Sequence, residues 1–256
     1  MGEKRLNFKP KGYITFKVII IFNWGIKMNF GKNTPRLLGI AFLIQAVATV
    51  LSDQFSSSLI ESDNISNSMI NISNDPTLMQ MSIIGKLITA IGIVLLTVLL
   101  YTTLKKQNKV IARWAFGLRI TEVAVYAVIV ISAFSLLFIS QEFVQAGVPD
   151  SSYFQTLGSL FYESMEYGYT VNMLFFSLGA LLFYYLFLKS KYIPKFFSVW
   201  GIISTSLSLI AILFGLFGYT LDLTIYLIAF LPILPLELAI GVWLTVKGFR
   251  STEITS

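Results

Sequence analysis

The chain has 256 residues, of which 55% are apolar and 12% charged, with a mean hydropathy of +0.75. A soluble domain carries about a quarter charged residues and cannot hide so much apolar surface, so the fold class read here is all-α, a polytopic integral membrane helix bundle. The formal charge of +6 sits in short clusters between apolar runs, the pattern of topology signals, so no nucleic-acid partner is expected. The chain has no Cys and no His, which removes disulfides, thiolate chemistry and nearly every zinc site, so no metal and no cofactor are expected.

Residues 1–27 come first. Their apolar run, Tyr13 to Trp24, is too short for a span, contains Lys17 and lacks the small-residue cleavage site of a signal peptide. Two readings stand: an interfacial basic helix, or sequence ahead of a start at Met28, where "MNFGKNTPRLLGI" has the form of a short basic lead-in to a span.

The membrane domain is expected over residues 28–250, with 251–256 as a cytoplasmic tail. Six stretches are long and apolar enough to cross a hydrocarbon core: Arg36–Ser52, Met81–Leu104, Trp114–Ser140, Tyr169–Leu188, Phe196–Gly218 and Thr224–Val246. The connections between them alternate in charge. Residues 53–80 and 141–168 hold no Lys or Arg and are assigned as external loops. The segments "KKQNKVIAR", "KSKYIPK" and the C-terminal Lys247 and Arg250 carry the basic residues. By the positive-inside rule both termini are cytoplasmic, and a multi-pass protein of the cell membrane results.

The first external loop is rich in Ser and Asn and is expected to be mobile; Asn64 and Asn71 match the glycosylation acceptor pattern. In the second, Phe154, Leu157, Phe161 and Met165 recur at helical spacing. They predict an amphipathic helix lying on the outer surface or capping the bundle, with a longer fourth span as the alternative.

Within the spans, Lys86 and Arg119 are the basic residues clear of the cytoplasmic ends. Lys86 is near enough to the outer end of its helix to snorkel into water. Arg119 and Glu122 are one turn apart and about 13 Å deep, and Tyr126 continues their face. Glu237 in the last span and Gln45 in the first reach a similar depth when counted from Lys247 and Arg36. Charged and polar groups facing lipid are costly, by a contested ~2.5 kcal/mol or more for a central charge, so all five are expected to face the interior. Pro232 and Pro235 interrupt the last helix just before Glu237 and free the carbonyls of Ile228 and Leu231, while Gly241 leaves space beyond it.

Four pieces, "RLLGI" (Arg36–Ile40), "RITE" (Arg119–Glu122), "YIPKFFSVWG" (Tyr192–Gly201) and "PLELAIGVWLTVKGF" (Pro235–Phe249), carry a resemblance to an uncharacterised prokaryotic membrane family, domain of unknown function 4386. Together they reach from about Arg36 to Phe249, with Lys195 where members usually have Arg. Residues 1–27 have no counterpart, which favours the Met28 start. The resemblance implies no activity, only that the Arg–Glu pair and the Glu of the last helix belong to the family's own pattern.

Three functions are open. A small-solute or proton-coupled transporter would use Gln45, Arg119, Glu122, Tyr126 and Glu237, with two buried acids against one base, although no internal repeat supports it. A non-catalytic sensor, immunity or accessory protein would act through partner helices or external segments, and the sequence identifies no protein partner. A membrane-embedded enzyme acting on lipid would need a Glu122–Glu237 acid/base pair, but no nucleophile has a base beside it, so no residue is named catalytic. The Arg–Glu pair also admits a purely structural role, fixing helix rotation.

Overall fold

A computed structural model describes residues 33–61, 63–145, 152–219 and 222–250. The expectations placed on residues 1–27 and 251–256 lie outside the described residues. Eight helices follow in order: α1 (Thr34–Ser57), α2 (Ile65–Asn74), α3 (Pro76–Leu104), α4 (Lys109–Gln145), α5 (Ser152–Ser190), α6 (Lys195–Leu216), α7 (Leu223–Phe230) and α8 (Ile233–Val246). Six stretches are long and apolar enough to cross a membrane: α1, α3, α4, α5, α6, and α7 with α8 as one interrupted span. The bundle is all-α among the described residues, as its composition requires.

Two of the expected loops are largely helical. Within 53–80, Asn64 caps α2 by accepting from the Asn67 amide at 3.1 Å, and Asp75 caps α3 by accepting from Leu78, with Pro76 in the first turn. These are ordinary start signals, since a capping oxygen satisfies an amide that the helix leaves free. Met69 and Ile72 of α2 are completely buried, which holds this segment against α4. The Asn71 side-chain amide donates to the Leu59 carbonyl and to Glu61, so one acceptor asparagine is already used by the fold.

The second correction concerns 152–168. There is no separate surface helix. The segment is the first part of α5, which runs unbroken for 39 residues, or about 58 Å at 1.5 Å per residue. The face of Phe154, Leu157, Phe161 and Met165 is packed inward onto α2 and α4. Gly158 makes that approach possible, because a Cβ there would lie 2.6 Å from the Met69 sulfur. With α4 at 37 residues, both helices exceed a hydrocarbon core of about 30 Å.

The apolar interior forms two clusters. One, with Leu38, Phe42, Leu100, Ala115, Phe183 and Leu236, occupies the end where the basic segments lie. Contacts between Tyr192 and Phe249, stacked at 4.7 Å, and between Gly248 and Pro35 bring the start of α1, the α5–α6 turn and the end of α8 together there. The second cluster, with Met69, Ile83, Ile129, Leu136 and Phe143, occupies the other end. Along α1, α3, α4 and α5 the residues between the clusters are polar: Gln45, Thr49 and Ser52; Lys86 and Thr89; Arg119 and Glu122; Asn172.

Small residues let the helices approach at this belt. Gly85 and Gly92 of α3 meet Ser52 and Gln45 of α1, with added Cβ atoms only 2.7 and 3.2 Å from their side chains. Gly39 and Gly241 do the same for α1 and α8. The space expected beside Gly241 is therefore filled by Leu43 and the α1 backbone, and is no part of an open site.

Candidate functional site

Arg119 and Glu122 are both buried on α4 and form an ion pair of 2.8 Å between Nη1 and Oε2. Charge is matched but hydrogen bonding is not: Arg119 Nε and Nη1 and Glu122 Oε2 have no hydrogen-bond partner among the described residues. The spacing of three residues brings the groups together while denying them a good donor angle. The Arg119 stem lies against Gly179 of α5, and its guanidinium is 4.9 Å from the Phe176 ring centroid. Asn172 of α5 donates to the Glu122 carbonyl at 2.9 Å and ties α5 to the same turn.

Glu237 reaches this place from α8. Pro232 ends the hydrogen-bonded run of α7 at Phe230, and Leu231 and Pro232 form a turn before α8 begins. Pro232 keeps right-handed helical angles (φ −69°, ψ −15°), so the span is interrupted without being reversed. Pro235 falls in the first turn of α8, where a missing amide costs little. Glu237 is buried, makes no ion pair or hydrogen bond among the described residues, and lies in electrostatic range of Arg119, Glu122 and Tyr184. It shares with Arg119 and Tyr184 the lining of a cavity of about 20 Å³. That is room for one water molecule.

Arg119, Glu122 and Glu237 thus converge. Gln45 is buried in the polar belt against Gly92, but its amide oxygen has no partner and it makes no hydrogen bond to the other three. Tyr126 is buried one turn beyond Glu122 with its hydroxyl beside Thr89 and Ser52, and it packs edge-on to Tyr169 at 6.4 Å. It is in electrostatic range of both Glu122 and Asp53, and so stands between two charged groups of residues.

The second group is one that sequence reasoning missed. Lys86 does not snorkel: it is completely buried. Its ammonium is 3.5 Å from Asp53 Oδ1, 3.4 Å from Ser56 Oγ and 3.0 Å from Ser82 Oγ. The Tyr169 hydroxyl donates to the same Asp53 oxygen at 3.3 Å. A lysine one turn from Ser82 can turn inward once α1 offers it a carboxylate, and the end of α1 places Asp53 there. Beyond Asp53 a cavity of about 710 Å³ opens between α1, α5, α6 and α7. The signals were in the sequence: an acid closing the first span, and tyrosines and acids along 162–169.

Comparison with family models matches residues 37–248 to Domain of unknown function (DUF4386), and the chain belongs to that family. Comparison with curated proteins and with solved structures found no match.

Proposed function

We propose that this member of family 4386 is a proton-coupled carrier for a small solute, with the proton handled by Arg119, Glu122 and Glu237. The observation that carries this reading is the position of Glu237: buried, without an ion pair, and facing an already paired guanidinium across a water-sized cavity. Two carboxylates and one guanidinium leave one negative charge in an apolar surround, and such a charge is costly unless it takes a proton or a cation. The interruption at Pro232 supports the same reading, since a span with two missing backbone bonds bends more readily than a continuous one. Tyr126 and Gln45 are further buried polar residues in the adjoining belt, and the Gln45 amide oxygen has no hydrogen-bond partner among the described residues. The cavity at the cluster holds a water but not a solute, so it serves the proton and the solute binds elsewhere.

The test is proton-linked flux in liposomes of the purified protein carrying an internal pH dye, challenged with a panel of small solutes under an imposed pH gradient. At least one solute is expected to move protons with the wild type, and Glu237→Gln is expected to abolish that movement while melting within a few degrees of wild type. Wild-type flux in Glu237→Gln, or no solute-dependent flux in the wild type, overturns the proposal. A sensor or accessory role is the second reading. Its own support is the extent of α4 and α5, which with α2 project past a bilayer core and offer a partner a folded surface.

A further inference from the structure

We propose that the 710 Å³ cavity at the Asp53 end of the bundle is a binding site for a small organic ammonium ion. The site is separate from the proton cluster, and the inference stands or falls independently of transport.

Its size is that of a small-molecule pocket. Its walls carry two carboxylates, Asp53 and Glu166, and four tyrosines, Tyr162, Tyr169, Tyr219 and Tyr226, with no Lys or Arg among the lining residues. The carboxylates lie in electrostatic range of each other, and Tyr226 lies in range of both. Asp53 shares its charge with Lys86, whose ammonium sits wholly behind the wall. Glu166 has no ion pair among the described residues. The cavity therefore keeps one unbalanced negative charge after Lys86 is counted, and the repulsion between its acids is relieved by a monovalent cation.

The aromatic lining decides which kind of cation. A metal ion asks for several convergent oxygens at short range, and the described residues contain no group of three or more acids able to hold one. Tyrosine faces around a carboxylate suit an alkylammonium, which gains from ring quadrupoles and buries its carbons against the rings. The remaining wall is mixed, with Ile60, Met165 and Ile212 beside the hydroxyls of Ser56, Ser57 and Thr170, and its apolar part fits a body attached to the charged head. An ammonium group can come from a free amine or from the headgroup of a zwitterionic lipid. The chemistry is shared, and the experiment separates the sources.

Choline is the probe and 3,3-dimethyl-1-butanol its neutral isostere, titrated by calorimetry into the full-length protein in detergent and in nanodiscs of anionic lipid alone. Saturable choline binding is expected, with the isostere at least about tenfold weaker. Glu166→Gln and Tyr226→Leu, both at exposed positions that leave the Lys86 pair intact, are each expected to weaken choline about three- to tenfold. Glu237→Gln is expected to bind choline as wild type does, even with its flux abolished. Equal binding of the isostere, unchanged choline binding in both cavity variants, or no saturable binding by folded wild type each overturns the proposal. Adding phosphatidylethanolamine or phosphatidylcholine to the nanodiscs identifies the source. Competition with choline assigns the site to a lipid headgroup, and its absence assigns it to a free amine.

Discussion

Removing Asp53 and removing Lys86 leave different things behind. Lys86 is fully enclosed and Asp53 is half exposed, so an unpaired Asp53 stays hydrated while an unpaired Lys86 is left as an enclosed cation with only the Ser56 and Ser82 hydroxyls beside it. Asp53→Ala is therefore expected to cost about 1–3 kcal/mol, discounted for the exposure of the carboxylate, and Lys86→Met less. Thermal melting of the two variants in one detergent checks the order; a larger loss for Lys86→Met contradicts it. At this scale the sequence identified Arg119, Glu122 and Glu237, because charges far from any span end have few places to go. It misjudged Lys86 because depth along one helix says nothing about what another helix brings alongside. Asp53 was visible as an acid closing the first span, but at the end of a span a carboxylate needs no partner, so its pairing with Lys86 was not legible.

Helix α7 offers a test at the scale of one element. Its cap, Asp222, accepts from the Thr224 amide at 2.7 Å, and that bond together with the Thr224 hydroxyl holds the carboxyl below its ordinary value. A depressed folded value means the contribution is present at neutral pH and is lost as pH falls through the carboxylate range, below about pH 4. Hydrogen exchange of the first α7 amides, corrected for intrinsic rates, is expected to speed up between pH 6 and pH 3 in the wild type. In Asp222→Ala it should be fast at both. The α1–α8 seam gives a second test. Enlarging Gly241 drives a side chain into Leu43 and the Gly39 carbonyl, so Gly241→Leu is expected to cost about 1–3 kcal/mol, read by the same melts. The elements themselves were legible where apolar runs were long. They were less legible at 65–74, where capping residues and one apolar face sit inside a Ser/Asn-rich composition. At 152–168 the amphipathic face was legible; it packs on protein, and the segment continues the fourth span, which had stood as the alternative to a separate helix.

For the molecule as a whole, the ends of the bundle are chemically distinct. Basic turns gather at one end, and the Asp53–Glu166 cavity opens toward the other. By the positive-inside rule the basic end is expected to be cytoplasmic, and the absence of native Cys makes this simple to check. A single cysteine at Ser66 is expected to react with an impermeant maleimide in intact cells, and one at Gln107 is expected to be protected until the cells are opened. The reverse pattern would turn the bundle over and place the cavity inside.

Sequence alone determined the all-α membrane class and the six helices long and apolar enough to cross. These follow from the length and apolarity of each run, properties that a helix has by itself. Only the tertiary structure decided that Lys86 is paired, that Gly241 is packed shut, that Glu237 and Arg119 line one small void, and that acids and tyrosines from α1, α5, α7 and the α6–α7 connection line a large one. Each of those depends on which neighbour stands opposite, and rotation and register between helices are set by packing small residues against one another, not by the pattern along any single helix.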